Sequence, residues 1–278
     1  MNITARIPEV QQCLQDQKNK TTGFVPTMGA LHQGHLALVH KAAEENDIVV
    51  CSIFVNPIQF NNPDDLKKYP RNLEEDCLLL EKAGCHVVFA PDVKEMYPEP
   101  VKETFDFGML DKVMEGAFRP GHFNGVAVVV KKLFEIVKPA KAYFGLKDYQ
   151  QLQIVKSMVR MIHSPVEVIS CPTVREPDGL AMSSRNRRLS PELRGRAPVI
   201  YQTLSALADI KKTLSVEQYK RWAVDHIESA KPLKVEYFEI ADATSLQSVD
   251  SWDASGGLVA CTAVWAGEVR LIDNILIL

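Results

Sequence analysis

The 278-residue sequence predicts an α/β protein: a parallel sheet with helices on both faces, followed by a smaller α+β C-terminal domain. Val- and Ile-rich runs alternate with helix-compatible runs through about residue 174, the order that builds a parallel sheet through crossover helices. Beyond about residue 175 that alternation stops, and two helical runs are followed by three strand-like ones.

TTGFVP (21–26) reads as the first strand and residues 34–45 as a helix. DIVVCSIFV (47–55) is a nearly continuous apolar strand closed by Asn56-Pro57, a turn signal. LEEDCLLLEKAG (73–84) is helical and ends on Gly84, with HVVFAP (86–91) as the next strand. Val126, Val129, Val130, Leu133, Phe134 and Val137 fall at helical spacing, and Pro139 stops that helix. KAYFG (141–145) is a short strand, 148–162 a helix and VEVISCPTV (166–174) a strand. A boundary near 173–176 gives domains 1–174 and 175–278. In the second, Ser190 as N-cap with Pro191 at the first helical position starts a helix through about Lys211, and another covers 216–230. KVEYFEI (234–240), GLVACTAVW (257–265) and EVRLI (268–272) are strands, the last two joined at Ala266-Gly267 by a hairpin turn.

The hydrophobic fraction of 46% supports a sizeable core without disulfides or a structural metal. A formal charge of -3 argues against a general nucleic-acid binder. No apolar stretch reaches the ~18 residues of a membrane span, and the N-terminal sequence has no apolar signal-like core. The six cysteines form no Cys-x-x-Cys pair and sit mostly in apolar runs. They read as reduced, buried thiols, and the cytoplasm is the expected location.

In open parallel sheets, ligands sit beyond the carboxyl ends of the strands. Those ends here carry the distinctive segments. PTMGALHQGH (26–35) runs from a strand through a glycine turn into a helix bearing His32 and His35. Helix N-termini suit phosphate oxygens, Gly29 and Gly34 permit close approach, and two imidazoles can donate to oxygens on which charge builds. A metal reading of the two histidines lacks a third ligand nearby. GLAMSSRNRRLS (179–190) offers Ser183, Ser184 and Arg185 as phosphate donors, or is a polar surface loop. In FGLKDYQQ (144–151), Lys147 suits a phosphate, Asp148 ribose hydroxyls and Gln151 a second substrate; Lys-Asp is also an ordinary helix start. FVNPIQF (54–60) presents the Asn56 and Gln59 amides to hydroxyl or carboxylate groups. RPGHFNGVAVVV (119–130) combines Arg119 and His122 with a glycine-bearing turn ahead of a helix; turn formation accounts for the glycines, and the two side chains are either part of the site or ordinary surface residues.

With YPR (69–71), TVREPDGLAMSSRN (173–186) and RLIDN (270–274), these segments span essentially the whole chain in one order, and together they resemble the pantothenate synthetase (pantoate–β-alanine ligase) family. The resemblance extends to the nucleotidylyl transferase superfamily, with Met182-Ser183-Ser184-Arg185 in the place of its second signature. It implies a Rossmann-like nucleotide- and pantoate-binding domain over 1–174, with 175–278 as a lid. The implied reaction joins (R)-pantoate and β-alanine using ATP, through pantoyl-adenylate, with release of AMP and pyrophosphate. It implies His32 and His35 on the ATP phosphates, with His35 the catalytic donor. Lys147, Ser183, Ser184 and Arg185 would also hold phosphates, Asp148 the ribose, and Gly145 and Val174 the adenine through their backbones. Met28, Gln59 and Gln151 would bind pantoate with support from Asn56, while Met28, Gly29, Gly34 and Met182 line the ATP site. Magnesium on the phosphates, with Asp76 as a nearby carboxylate, and a homodimer through the larger domain are further implications. The sequence departs from the family pattern at Leu146, Val128 and Arg188, none of which carries an assigned role. Two other readings stand beside the ligase: a different small-molecule nucleotidylyltransferase, and a non-catalytic nucleotide-binding module.

Overall fold

The computed structural model describes residues 1–210, 213–253 and 256–277. The elements run β1 (Asn2–Thr4), α1 (Ile7–Gln15), β2 (Thr22–Thr27), α2 (Gln33–Glu45), β3 (Ile48–Ile53), α3 (Pro63–Lys68), α4 (Leu73–Lys82), β4 (Val87–Phe89), α5 (Val93–Met96), α6 (Glu115–Phe118) and α7 (His122–Val137). They continue with β5 (Lys141–Gly145), α8 (Tyr149–Met161), β6 (Glu167–Cys171), α9 (Pro191–Arg196), α10 (Val199–Ser205), α11 (Leu207–Ile210), α12 (Val216–Ser229), β7 (Lys234–Asp242), β8 (Leu258–Ala266) and β9 (Val269–Ile277). Short 3-10 turns cover Pro57–Gln59, Leu146–Asp148 and Ser184–Arg188.

Two compact units account for the described residues: Met1–Phe107 with Arg119–Gly145 and Gln151–Pro172, and Gly108–Phe118 with Leu146–Gln150 and the chain from Thr173 onward. In the first, a parallel sheet has the strand order β1-β4-β3-β2-β5-β6. Successive strand residues face opposite ways, and β2 shows which helices cover each face. Phe24 meets Phe134 of α7 edge-on, with ring centroids 6.2 Å apart. Val25 packs with Leu36 and Val39 of α2 and Leu80 of α4. The strand order reverses between β2 and β5, so the C-terminal ends at Thr27 and Gly145 flank the switch point where such sheets take ligands.

The second unit is built on the antiparallel sheet β7-β8-β9. Its core joins Ile200, Leu204, Tyr219, Ala223, Ile227, Ile240 and Val264. Segments 108–118 and 146–150 enter it through Met114 and Tyr149, which pack with Ala241, Leu246, Val259 and Cys261.

The structure corrects the single helix expected from Pro191. Pro198, which lacks an N–H, separates α9 from α10, and Ala206 ends α10. The expected end at Lys211 lies outside the described residues. β1 was missed because three residues are too few to show alternation. β9 runs five residues past the expected Ile272, because Asp273 and Asn274 interrupt its apolar pattern while being buried, at 4% and 7% exposure.

Candidate active site

The turn after β2 is the most constrained backbone near the switch point. Gly29 and Ala30 are both left-handed, at φ +81° and +52°. Thr27 Oγ1 donates to Ser52 O at 2.7 Å and accepts the Gly29 N–H at 3.2 Å. Asp76 of α4, 2% exposed, accepts the Ala30 N–H at 2.9 Å and the Leu31 N–H at 2.7 Å, one on each carboxylate oxygen. The carboxylate of Asp76, expected near magnesium, is thus buried and binds the loop. Among the described residues no group of three or more His, Cys, Asp or Glu could hold a metal ion.

The loop delivers His32 as N-cap of α2, and here two histidines make the reciprocal cap usually built from Ser or Thr and Glu. His32 Nδ1 accepts the Gly34 N–H at 3.1 Å, and His35 Nδ1 accepts the His32 N–H at 3.3 Å. A ring nitrogen that accepts carries no proton, so each imidazole bears its hydrogen on Nε2. The rings lie 4.1 Å apart by centroid, tilted by 41°. Two N–H donors therefore stand at the positive end of a 13-residue helix.

A second group of side chains fixes the polarity of Gln59. Gly125 O can only accept, so Asn56 turns its amide nitrogen to it, at 3.1 Å. The same nitrogen donates to Gln59 Oε1 at 3.0 Å, and Tyr97 donates its hydroxyl to Asn56 Oδ1 at 3.0 Å. Gln59 consequently presents its NH2, which reaches Met28 Sδ at 3.1 Å. Gly125 is required here, since a Cβ would meet Ile58 O at 2.5 Å. His122 does not take the surface reading that the sequence left open: it is 6% exposed. Its Nε2 accepts from Arg119 Nη1 at 3.2 Å, which puts the ring proton on Nδ1, donating to Gln59 O at 2.8 Å. Burial pushes the Tyr97 hydroxyl up, so it stays a donor. Tyr97 was missed because nothing near it in sequence marks it as polar and buried.

Met28 and Gly29 also line a cavity of about 330 Å³ with Ile53, Phe54, Arg71 and Asp92. Gly145 ends β5, where a Cβ would find open space within 4 Å. Gln151 follows on α8, half-buried.

In the second unit, Lys147 lies in the 3-10 turn Leu146–Asp148, its side chain 18% exposed and its Nζ 3.8 Å from Asp148 Oδ1. Ser183 caps the turn Ser184–Arg188 by accepting the Arg185 N–H at 3.2 Å. Val174 O accepts the Met182 N–H at 3.0 Å, closing the segment that carries these residues into a loop. Both 3-10 turns pack on β9. Of the departures from the family pattern, Leu146 packs against the Tyr149 cluster, Val128 is buried in α7 and Arg188 is exposed.

The sequence profile described as pantoate-beta-alanine ligase matches residues 2–276. Pantothenate synthetase of Porphyromonas gingivalis is 52% identical over 258 residues, covering 93% of this chain and 92% of that one. That of Bacteroides fragilis is 51% identical over 277 residues, 99% and 98% of the two chains. Among solved structures, pantothenate synthetase from Thermus thermophilus matches at TM-score 0.93 and 46% identity, over 99% of each chain. Pantoate-beta-alanine ligase from Francisella tularensis, complexed with beta-gamma ATP and beta-alanine, matches at TM-score 0.84 and 36% identity, over 99% of this chain and 97% of that one.

Proposed function

The chain belongs to the pantoate-beta-alanine ligase family, and from that premise we propose that it joins (R)-pantoate to β-alanine at the expense of ATP. A carboxylate is a poor acyl electrophile. Attack of a pantoate carboxylate oxygen on the α-phosphorus breaks the bond to the β-phosphate, releasing pyrophosphate and leaving pantoyl-adenylate. The β-alanine amine then attacks the acyl carbon, forms the amide and expels AMP. Such a reaction needs alignment and charge stabilisation rather than a covalent nucleophile.

The observation that carries this reading is the histidine cap: both rings hold the proton on Nε2 at the N-terminus of α2, beyond the end of β2. Those N–H groups donate to phosphate oxygens as charge moves onto the leaving pyrophosphate, with His35 the principal donor. Lys147, Ser183, Ser184 and Arg185 serve as further phosphate donors, Asp148 binds ribose, and Gly145 and Val174 contact adenine through their backbones. Gly29, Gly34 and Met182 line the nucleotide. The Gln59 NH2, oriented by Asn56, donates to pantoate beside Met28 and Gln151. Magnesium fits as an ion carried on the phosphates, since the Asp76 oxygens are engaged by the loop; when bound it neutralises phosphate charge. A cytoplasmic location, in keeping with five buried thiols, and a homodimer, which rests on the family resemblance alone, complete the proposal.

With ATP and magnesium, pyrophosphate release should require pantoate, and adding β-alanine should give pantothenate by mass spectrometry. Release equally fast without pantoate would count against the ligase. A stable nucleotidylated product without an amide would point to a different nucleotidylyltransferase.

A further inference from the structure

RLIDN (270–274) is a motif for which the reaction supplies no task. Its last residue, Asn274 on β9, is 7% exposed and spends both amide hydrogens on one turn: Nδ2 donates to Leu146 O at 2.9 Å and to Lys147 O at 2.8 Å. A single 3-10 turn has few hydrogen bonds of its own, and its terminal carbonyls need outside donors. The Lys147 ammonium is held only loosely from its own side, 3.8 Å from Asp148 Oδ1. Asn274 thus fixes the backbone from which the Lys147 side chain leaves, by holding two successive carbonyls of its turn.

The donor is itself immobilised. Asp273, 4% exposed, accepts the Asn274 N–H at 2.8 Å and Arg175 through both terminal nitrogens, at 2.6 and 3.0 Å. Arg175 also donates to Gly179 O at 3.1 Å and lies 3.7 Å over the Tyr201 ring. The pair Asp273-Asn274 thus ties the Lys147 turn and the loop leading to Ser183 to one strand.

We propose that Asn274 is a positioning residue for Lys147, fixing the ammonium where it meets phosphate during adenylation. The proposal rests on the phosphate role of Lys147. The test is a double-mutant cycle in the full-length enzyme on pantoate-dependent pyrophosphate release, using Asn274→Asp, Lys147→Ala and the pair. Asn274→Asp keeps the shape but turns a carboxylate toward two carbonyls, and lowers kcat roughly 10- to 100-fold. The KM for pantoate stays within about twofold, because the pantoate contacts do not pass through this turn. In the Lys147→Ala background the same substitution changes the rate by less than about twofold, since an absent ammonium needs no positioning. Asn274→Ser, which keeps one donor and is less disruptive if the aspartate variant unfolds, retains an intermediate rate. Equal losses in both backgrounds, a rise in pantoate KM alone, or parental rates in both folded Asn274 variants overturn the proposal. A Lys147→Ala enzyme at parental rate removes the phosphate role of Lys147, and that failure is read separately from the Asn274 arm.

Discussion

Replacing Asp76 by asparagine separates two tasks that a carboxylate in this place can have. The turn it holds contains two successive left-handed residues, Gly29 and Ala30, and the left-handed geometry at a non-glycine residue such as Ala30 costs about 1–2 kcal/mol. The two N–H groups that Asp76 accepts, from Ala30 and Leu31, offset that cost and satisfy donors in a buried place. Asparagine keeps the shape and one acceptor, but loses the charge and turns an NH2 toward the other backbone N–H. Losing one charge-assisted bond and facing donor with donor costs about 2–4 kcal/mol. Because the loop delivers the histidine cap, part of this loss should reach the chemistry.

Urea unfolding measures the first effect, and pantoate-dependent pyrophosphate release at low and saturating magnesium measures the second. The expected result is a stability loss of about 2 kcal/mol or more and a fall in kcat/KM for ATP of about tenfold or more, the same at every magnesium concentration. If stability were parental and added magnesium restored the rate, Asp76 would be a metal ligand and this reasoning would be refuted.

Three further substitutions test the site and the scaffold. Tyr97→Phe removes the hydroxyl that donates to Asn56 Oδ1, freeing the Asn56–Gln59 pair to turn; pantoate KM should rise about tenfold with ATP KM unchanged, and steady-state kinetics in both substrates decides it. His35→Gln keeps an acceptor for the His32 N–H, as Gln218 provides for Ser215 at α12. Stability should then stay within about 1 kcal/mol of the parent, while single-turnover adenylation falls about a hundredfold. The Glu45 carboxyl is held at about 2, down from 4.5, by Lys41 first and then Lys141 and Tyr143. A depressed folded pKa contributes stability that is full above the unfolded value and lost as pH falls through the folded one. The Tm gap between parent and Glu45→Gln should therefore be widest above about pH 5 and close toward pH 2.

The sequence carried the sheet well because β3 and β5 are short apolar runs with clear stops at Asn56-Pro57 and at Gly145. It carried the histidine cap less fully. His32 and His35 were legible as a pair near a helix start, but their tautomers follow from hydrogen bonds to Gly34 and His32 that no spacing encodes. The buried polar residues were hardest to read. Asp273 and Asn274 interrupt a strand pattern, and His122 follows a glycine turn, so each resembled surface by local signal. Their partners lie far along the chain: Arg175 and Asp273 are 98 residues apart, and His122 and Gln59 are 63. Patterning reports which face of an element is apolar; it does not report which distant carbonyl needs a donor.

The same gap explains why the proposed chemistry-bearing groups were easier to nominate than the residues proposed to aim them. A phosphate donor needs a charge or an N–H near a strand end, and the proposed donors His35, Lys147 and Arg185 have that type and position. An aiming residue needs only the right number of hydrogens in a dry place. Asn274 has two hydrogens for two carbonyls, and Asn56 has two for Gly125 O and Gln59 Oε1. In both cases a buried amide has its donors fully used, so its orientation has one solution, and that solution fixes the neighbouring group. An aspartate of equal size in either place would keep the packing and reverse the polarity. The identity of these two asparagines is thus set by hydrogen-bond count rather than by volume.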